Sequence, residues 1–202
     1  MRNLLLSTIL LSSLAMAQAP APGGQAPAAP VSSAVANPTY TSIVLETNVN
    51  KPAAEVWKRV GKYCDIGEWL QVACTITSGK DGEVGAVRSI GSEILVGKTE
   101  LSYTYTQPVR AGAPYNLYHG TVEARPVTAT TSKIVYTLMW DNSSAADDAA
   151  KERDRTQRTT TFTRAIENMK TLAEGGTLPP APARVGGGGG GRGGGGGGRG
   201  QQ

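Results

Sequence analysis

Hydrophobic periodicity switches between strand-like and helix-like several times from Thr39 to Gly176, and the order of those switches leaves few folds open. Ile43, Leu45, Thr47 and Val49 alternate with Val44, Glu46 and Asn48, the period-two pattern of a strand with one buried face. Asn50-Lys51-Pro52 signals a helix start. Ala53, Val56, Trp57 and Val60 then fall at i, i+3, i+4 and i+7, and Gly61 ends the run. A second short helical stretch, Asp65 to Leu70, carries Trp69. Strand patterns follow near Val72–Ser78, Val84–Ile90, Glu93–Gly97, Glu100–Gln107, Tyr115–Pro126 and Lys133–Asp141. Between them lie turn signals at Gly79–Gly82, Gly91-Ser92, Gly97-Lys98, Pro108–Pro114 and Thr128–Ser132. The last element runs from about Ala146 to Gly175. Phe162, Ala165, Ile166, Met169, Leu172 and Ala173 give its second half an apolar stripe. Its first half, Lys151 to Arg158, is charged or polar and is expected to be solvated or frayed.

One strand, two short helices, six strands and a long helix make an α+β domain. A seven-stranded antiparallel sheet beside a single apolar helix face buries that face best by curving around it, leaving its other side wet. The two short helices close only one end, so an internal apolar cavity is expected between sheet and helix, and with it a small apolar ligand.

The ends of the chain have a different character. Arg2, the apolar run Leu4 to Leu11 and the small-x-small triplet Ala15-Met16-Ala17 read as a signal peptide cleaved after Ala17, which makes the protein periplasmic or secreted. The apolar run is shorter than the roughly 20 residues that a membrane span needs, so the mature chain is expected to carry no integral span. Residues 18–38 are almost all Ala, Pro, Gly, Gln and Ser and read as a disordered linker. Residues 177–202 are a Pro-rich stretch followed by glycine interrupted by Arg192 and Arg199, read as a flexible tail. The folded domain is therefore 39–176, roughly 140 residues, one ordinary domain. The formal charge of +4 falls to +3 without Arg2, and Arg184, Arg192 and Arg199 account for that remainder. A near-neutral domain has no electrostatic footprint for nucleic acid.

Several stretches of the domain carry a resemblance. They are Asn50–Gly61 (NKPAAEVWKRVG), Cys64–Cys74 with Glu68-Trp69 inside it, Gly85–Arg88 (GAVR) followed by Glu93-Ile94-Leu95, Leu101–Gln107 (LSYTYTQ), and the Phe162–Glu174 helix. In order and spacing the chain resembles the START-like (SRPBCC) superfamily, in its bacterial polyketide cyclase/dehydrase-like branch. The resemblance implies a helix-grip fold around an apolar pocket. It implies no single activity, because members include lipid carriers, hormone receptors and aromatase/cyclases.

Strand parity groups the pocket candidates. Arg88 shares a face with Ile90, Glu93 with Leu95, Tyr103 with Tyr105, and Tyr118 with Gly120 and Val122. In hormone receptors of this superfamily the acidic residue after the arginine strand faces the cavity, and Glu93 stands at the matching place. The resemblance thus makes Arg88, Glu93 and Tyr118 the polar pocket residues, with Phe162 and Met169 pressing in from the long helix. The plainer alternatives are a cross-strand Arg88–Glu93 ion pair worth about 0.2–1 kcal/mol and tyrosines that serve only as sheet aromatics. Trp57 and Trp69 read as core, and Trp140 as either rim or packing.

The chemistry on offer is narrow. A single histidine, His119, and the lack of Cys-His or carboxylate clusters give no metal site. No nucleophile elbow, phosphate loop or dinucleotide fingerprint is present, so no cofactor is expected. The expected function is an exported binder of a small hydrophobic molecule, lipid-like or aromatic. One alternative is a cyclase- or dehydratase-like enzyme with Glu93, Arg88 or Tyr118 handling protons in the pocket; another is an envelope interaction protein that works through its flexible ends. Cys64 and Cys74, the only two cysteines, are expected to pair in an oxidising compartment. The resemblance places both at the junction of the second short helix and the second strand.

Overall fold

A computed structural model describes residues 37–109 and 115–181. The expected signal peptide, nearly all of the linker and the Gly-Arg tail lie outside the described residues, as does most of the Pro108–Pro114 turn.

The elements run β1 (Tyr40–Val49), α1 (Ala53–Val60), α2 (Ile66–Trp69), β2 (Ile76–Ser78), β3 (Val87–Arg88), β4 (Glu93–Lys98), β5 (Ser102–Thr106), β6 (Tyr118–Pro126), β7 (Ser132–Asp141) and α3 (Asp148–Ala173). The strands form one seven-stranded antiparallel sheet in the order β1-β7-β6-β5-β4-β3-β2. The sheet curves and α3 lies in its grip, as the element order requires.

Alternation is cleanest on β6, where Tyr118, Gly120, Val122 and Ala124 are buried and the residues between them are not. From α3 the stripe Ala165, Ile166, Met169 and Leu172 packs down onto this face. Residues from α1 and α2, Val56, Val60, Ile66 and Trp69, fill the end of the grip. Asn168 donates from Nδ2 to the Trp69 carbonyl at 2.8 Å, tying α3 to α2. The Asp141 carboxylate, at the end of β7, accepts from the Thr39 and Ser143 amides, the Ser143 hydroxyl and Asn116 Nδ2. It gathers three segments at one corner of the sheet.

Two elements differ from the pattern reading. The strands expected at Val72–Ser78 and Val84–Ile90 shrink to three and two residues. Gly79, Gly82 and Gly85 between them all take positive φ, which draws the chain out of the sheet, and the β2–β3 register shifts between Ile76 and Ser78. The polar half of α3 is solvated but not frayed. Asp147 caps it by accepting from the Ala150 amide at 2.6 Å. Asp148–Lys151, Glu152–Arg155 and Asp154–Arg158 pairs then follow one another along its surface.

Candidate functional site

The inner face of the sheet carries aromatic and charged side chains where smaller apolar ones would leave a hollow. Arg88 and Glu93 are register partners on β3 and β4. Arg88 Nε donates to Glu93 Oε2 at 2.6 Å, and Nη2 lies 2.5 Å from the same oxygen. Arg88 Nη1 donates to the Tyr63 carbonyl at 2.7 Å. The guanidinium lies over the Tyr63 and Tyr105 rings, 4.3 and 4.5 Å from their centroids. Gln107 Nε2 donates to the other Glu93 oxygen at 2.9 Å, and the Tyr115 hydroxyl donates to Gln107 Oε1.

This environment sets the protonation of the cluster. Burial raises the Glu93 carboxyl above its ordinary range, while Arg88 and the Gln107 amide pull it back. Burial works against the Arg88 charge, but the surrounding tyrosine oxygens and Glu93 outweigh it and hold Arg88 above its ordinary value. Burial also raises Tyr63, Tyr103, Tyr105, Tyr118 and Tyr136.

The interior is filled around this pair. The Tyr105 and Tyr136 hydroxyls are bonded at 2.7 Å, and Phe162 from α3 sits against Tyr136 with centroids 4.9 Å apart. A Cβ added at Gly120 would run into the Tyr105 ring and hydroxyl, so glycine there makes room for tyrosine on the neighbouring strand. Val122 and Met169 are fully buried beside them. Ile90 is half-buried in the turn from β3 to β4.

A cleft of about 650 Å³ opens at one end of the sheet instead, between the end of α1, the β2–β3 loop and the β4–β5 turn. Trp57, Tyr63, Leu95 and Tyr103 supply its apolar surface, and Lys62, Asp81, Lys98 and Glu100 are among its polar residues. Of the sequence-predicted pocket residues, Leu95 and Tyr103 line this cleft. Arg88 and Glu93 lie behind it: Tyr63 and Tyr103 both line the cleft and both touch Arg88. Tyr105, Tyr118, Gly120, Val122, Phe162 and Met169 belong to the packed interior.

The Cys64–Cys74 disulfide is formed, with Cα atoms 5.6 Å apart, and it fixes the segment next to Tyr63. Pattern reading missed Tyr63, Gln107, Tyr136 and the cleft face of Trp57. Parity along β7 with Leu138 would have found Tyr136, and parity with Tyr103 and Tyr105 along the strand expected at Glu100–Gln107 would have found Gln107; Tyr63 lies outside regular elements and had no such signal. Trp140 is buried. Among the described residues no three metal-ligating side chains gather, and no helix is long and apolar enough to cross a membrane.

No family model matches the chain, and no curated protein matches it. Solved structures do. A Thermobifida fusca protein solved by NMR aligns with a TM-score of 0.56 at 22% identity, over 68% of this chain and 97% of its own. Truncated norcoclaurine synthase from Thalictrum flavum gives 0.54 at 12% identity, over 71% of this chain and 99% of its own. The Zhui aromatase/cyclase from Streptomyces sp. R1128 gives 0.53 at 16% identity, over 69% and 100%. The likeness is one of fold: a curved antiparallel sheet that grips a long C-terminal helix.

Proposed function

We propose that this domain is an exported binding protein for a small, largely apolar molecule with an aromatic portion, held in the cleft between α1 and the β4–β5 turn. The observation that carries the reading is the cleft itself. Its volume of about 650 Å³ lies within the range that holds drug-sized ligands, and it pairs aromatic and aliphatic walls with a few polar groups. Trp57, half-buried, offers ring surface for stacking, and the buried Tyr63 and Tyr103 back the cleft behind it. Export is supported by the Arg2 to Ala17 leader pattern and by the Cys64–Cys74 bridge.

An enzyme of cyclase or dehydratase type is the second reading, favoured by the raised Glu93 carboxyl beside Arg88 and by the aromatase/cyclase and synthase among the fold neighbours. Binding takes precedence because both Glu93 oxygens are already committed, one to Arg88 and one to Gln107.

The test uses anilinonaphthalene sulfonate as an aromatic probe, with mass spectrometry of any molecule that co-purifies. Saturable binding to folded protein, weakened about tenfold or more by Trp57→Ala, is expected. Binding that is absent, or unchanged in a folded Trp57→Ala variant, overturns the assignment to this cleft.

A further inference from the structure

At the end of the sheet away from the cleft, a cation sits among three aromatic rings. The Arg158 guanidinium carbon lies 5.2 Å from the Tyr115 ring centroid, 5.1 Å from that of Tyr118 and 4.9 Å from that of Trp140. Tyr118 and Trp140 are register partners on β6 and β7, so the sheet itself sets their spacing. Tyr115 stacks against Tyr118 at 5.0 Å and is fixed from behind by its bond to Gln107.

The arginine that fills this cage comes from the solvated half of α3. Its hydrogen bonds run from Nε to the two Asp154 oxygens, both at 3.0 Å, one turn earlier on the same helix. The cage thus holds the cation by ring faces, while the carboxylate that pairs with it travels with the arginine. Ring faces attract positive charge without requiring an N–H donor. The arrangement suits a cation that has no N–H to satisfy.

We propose that Tyr115, Tyr118 and Trp140 form a binding site for a quaternary or fully methylated ammonium group, which Arg158 occupies as an intramolecular competitor. An incoming ammonium takes the place of the guanidinium between the rings, and the Asp154–Arg158 pair swings outward together into solvent. This site is separate from the cleft and does not depend on what the cleft binds.

The experiment titrates tetramethylammonium chloride into the full chain, against sodium chloride at equal ionic strength, following tryptophan fluorescence and melting temperature. Wild type is expected to respond weakly. Arg158→Ala is expected to bind at least tenfold more tightly, with a saturable change in both signals, and adding Tyr118→Leu to that variant should abolish the gain. Arg158→Gln, which removes the charge and keeps a side chain of similar reach, should also raise the affinity severalfold. A folded Arg158→Ala protein with no saturable response beyond sodium chloride overturns the proposal. So does a response that survives the loss of Tyr118, because the ammonium then sits elsewhere. If Arg158→Ala does not fold, Arg158→Gln decides alone: an affinity equal to wild type overturns the site.

Discussion

Arg88 and Glu93 face each other across β3 and β4 with their charges 2.5 Å apart and their side chains 0% and 4% exposed. The same two residues on a wet sheet face would contribute a fraction of a kcal/mol. Out of water each charge depends on the other, and on the Tyr63 carbonyl and the Gln107 amide, for the solvation it has lost.

Removing one partner is therefore expected to cost far more than the pair contributes. Glu93→Gln should lose about 3–5 kcal/mol, because it leaves Arg88 buried and uncompensated. The double variant Arg88→Met/Glu93→Leu should recover most of that loss. Urea unfolding of the three proteins checks this, and a Glu93→Gln protein as stable as wild type contradicts it.

Gly120 and Tyr105 form a second dependent pair. Gly120→Ala pushes a methyl into the Tyr105 ring and should cost about 1–3 kcal/mol. Trimming the ring with Tyr105→Leu should remove most of that penalty, seen as a coupling energy in a double-mutant cycle. Additive single effects would mean that the backbone yields instead.

The helix grip was legible because it rests on alternation and on one apolar helix stripe, and both survive in the residues that make them: Tyr118, Gly120 and Val122 on β6, and Ile166 and Met169 on α3. Parity also grouped Tyr103 with Tyr105, and the resemblance turned Arg88 and Glu93 toward the inner face. Parity gave no depth. Whether an inward residue lines a hollow or fills it depends on the volumes of facing side chains, and here Tyr105, Tyr136 and Phe162 together fill the grip. The cleft was illegible for another reason. Lys62, Asp81 and Glu100 sit in turns and bends, whose conformations follow no period, and Lys98 is the last residue of β4. Arg158 gave no signal at all, since an arginine among charged neighbours reads as solvated until the rings beneath it are known.

The Cys64–Cys74 bridge closes a short ring next to Tyr63. The Cys64→Ser/Cys74→Ser variant should lose about 2.5–3 kcal/mol by loop entropy. Thiol counting on denatured protein from its native compartment should find none before reduction and two after. Two reactive thiols at the outset would contradict both the bridge in the cell and the proposed export.

Asp141 makes a specific demand on pH. Burial works to raise its carboxyl, but donation from the Ser143 backbone and side chain, Asn116 and the Thr39 amide prevails and holds it below its ordinary value. A depressed carboxylate contributes stability that is present above its unfolded pKa and is lost as pH falls through the folded one. Asp141→Ala should cost about 1.5–3 kcal/mol near neutrality. The gap from wild type should narrow as pH falls below the ordinary aspartate range and through the depressed folded value, read as converging urea midpoints. A gap that stays constant into acid would assign the effect to packing.

The tyrosine-filled grip has a consequence in alkali. Tyr63, Tyr103, Tyr105, Tyr118 and Tyr136 are all buried and all raised by that burial. Their folded values exceed the unfolded one, so the stability they contribute is complete below about pH 10 and drains away above it. None of the five phenols can release its proton cheaply while the grip is closed. Phenolate absorbance should therefore stay low for these rings until the chain opens, then rise in one step as they ionise together. The proton count of that step makes base-induced unfolding unusually steep, and gives the interior an optical clock that needs no label.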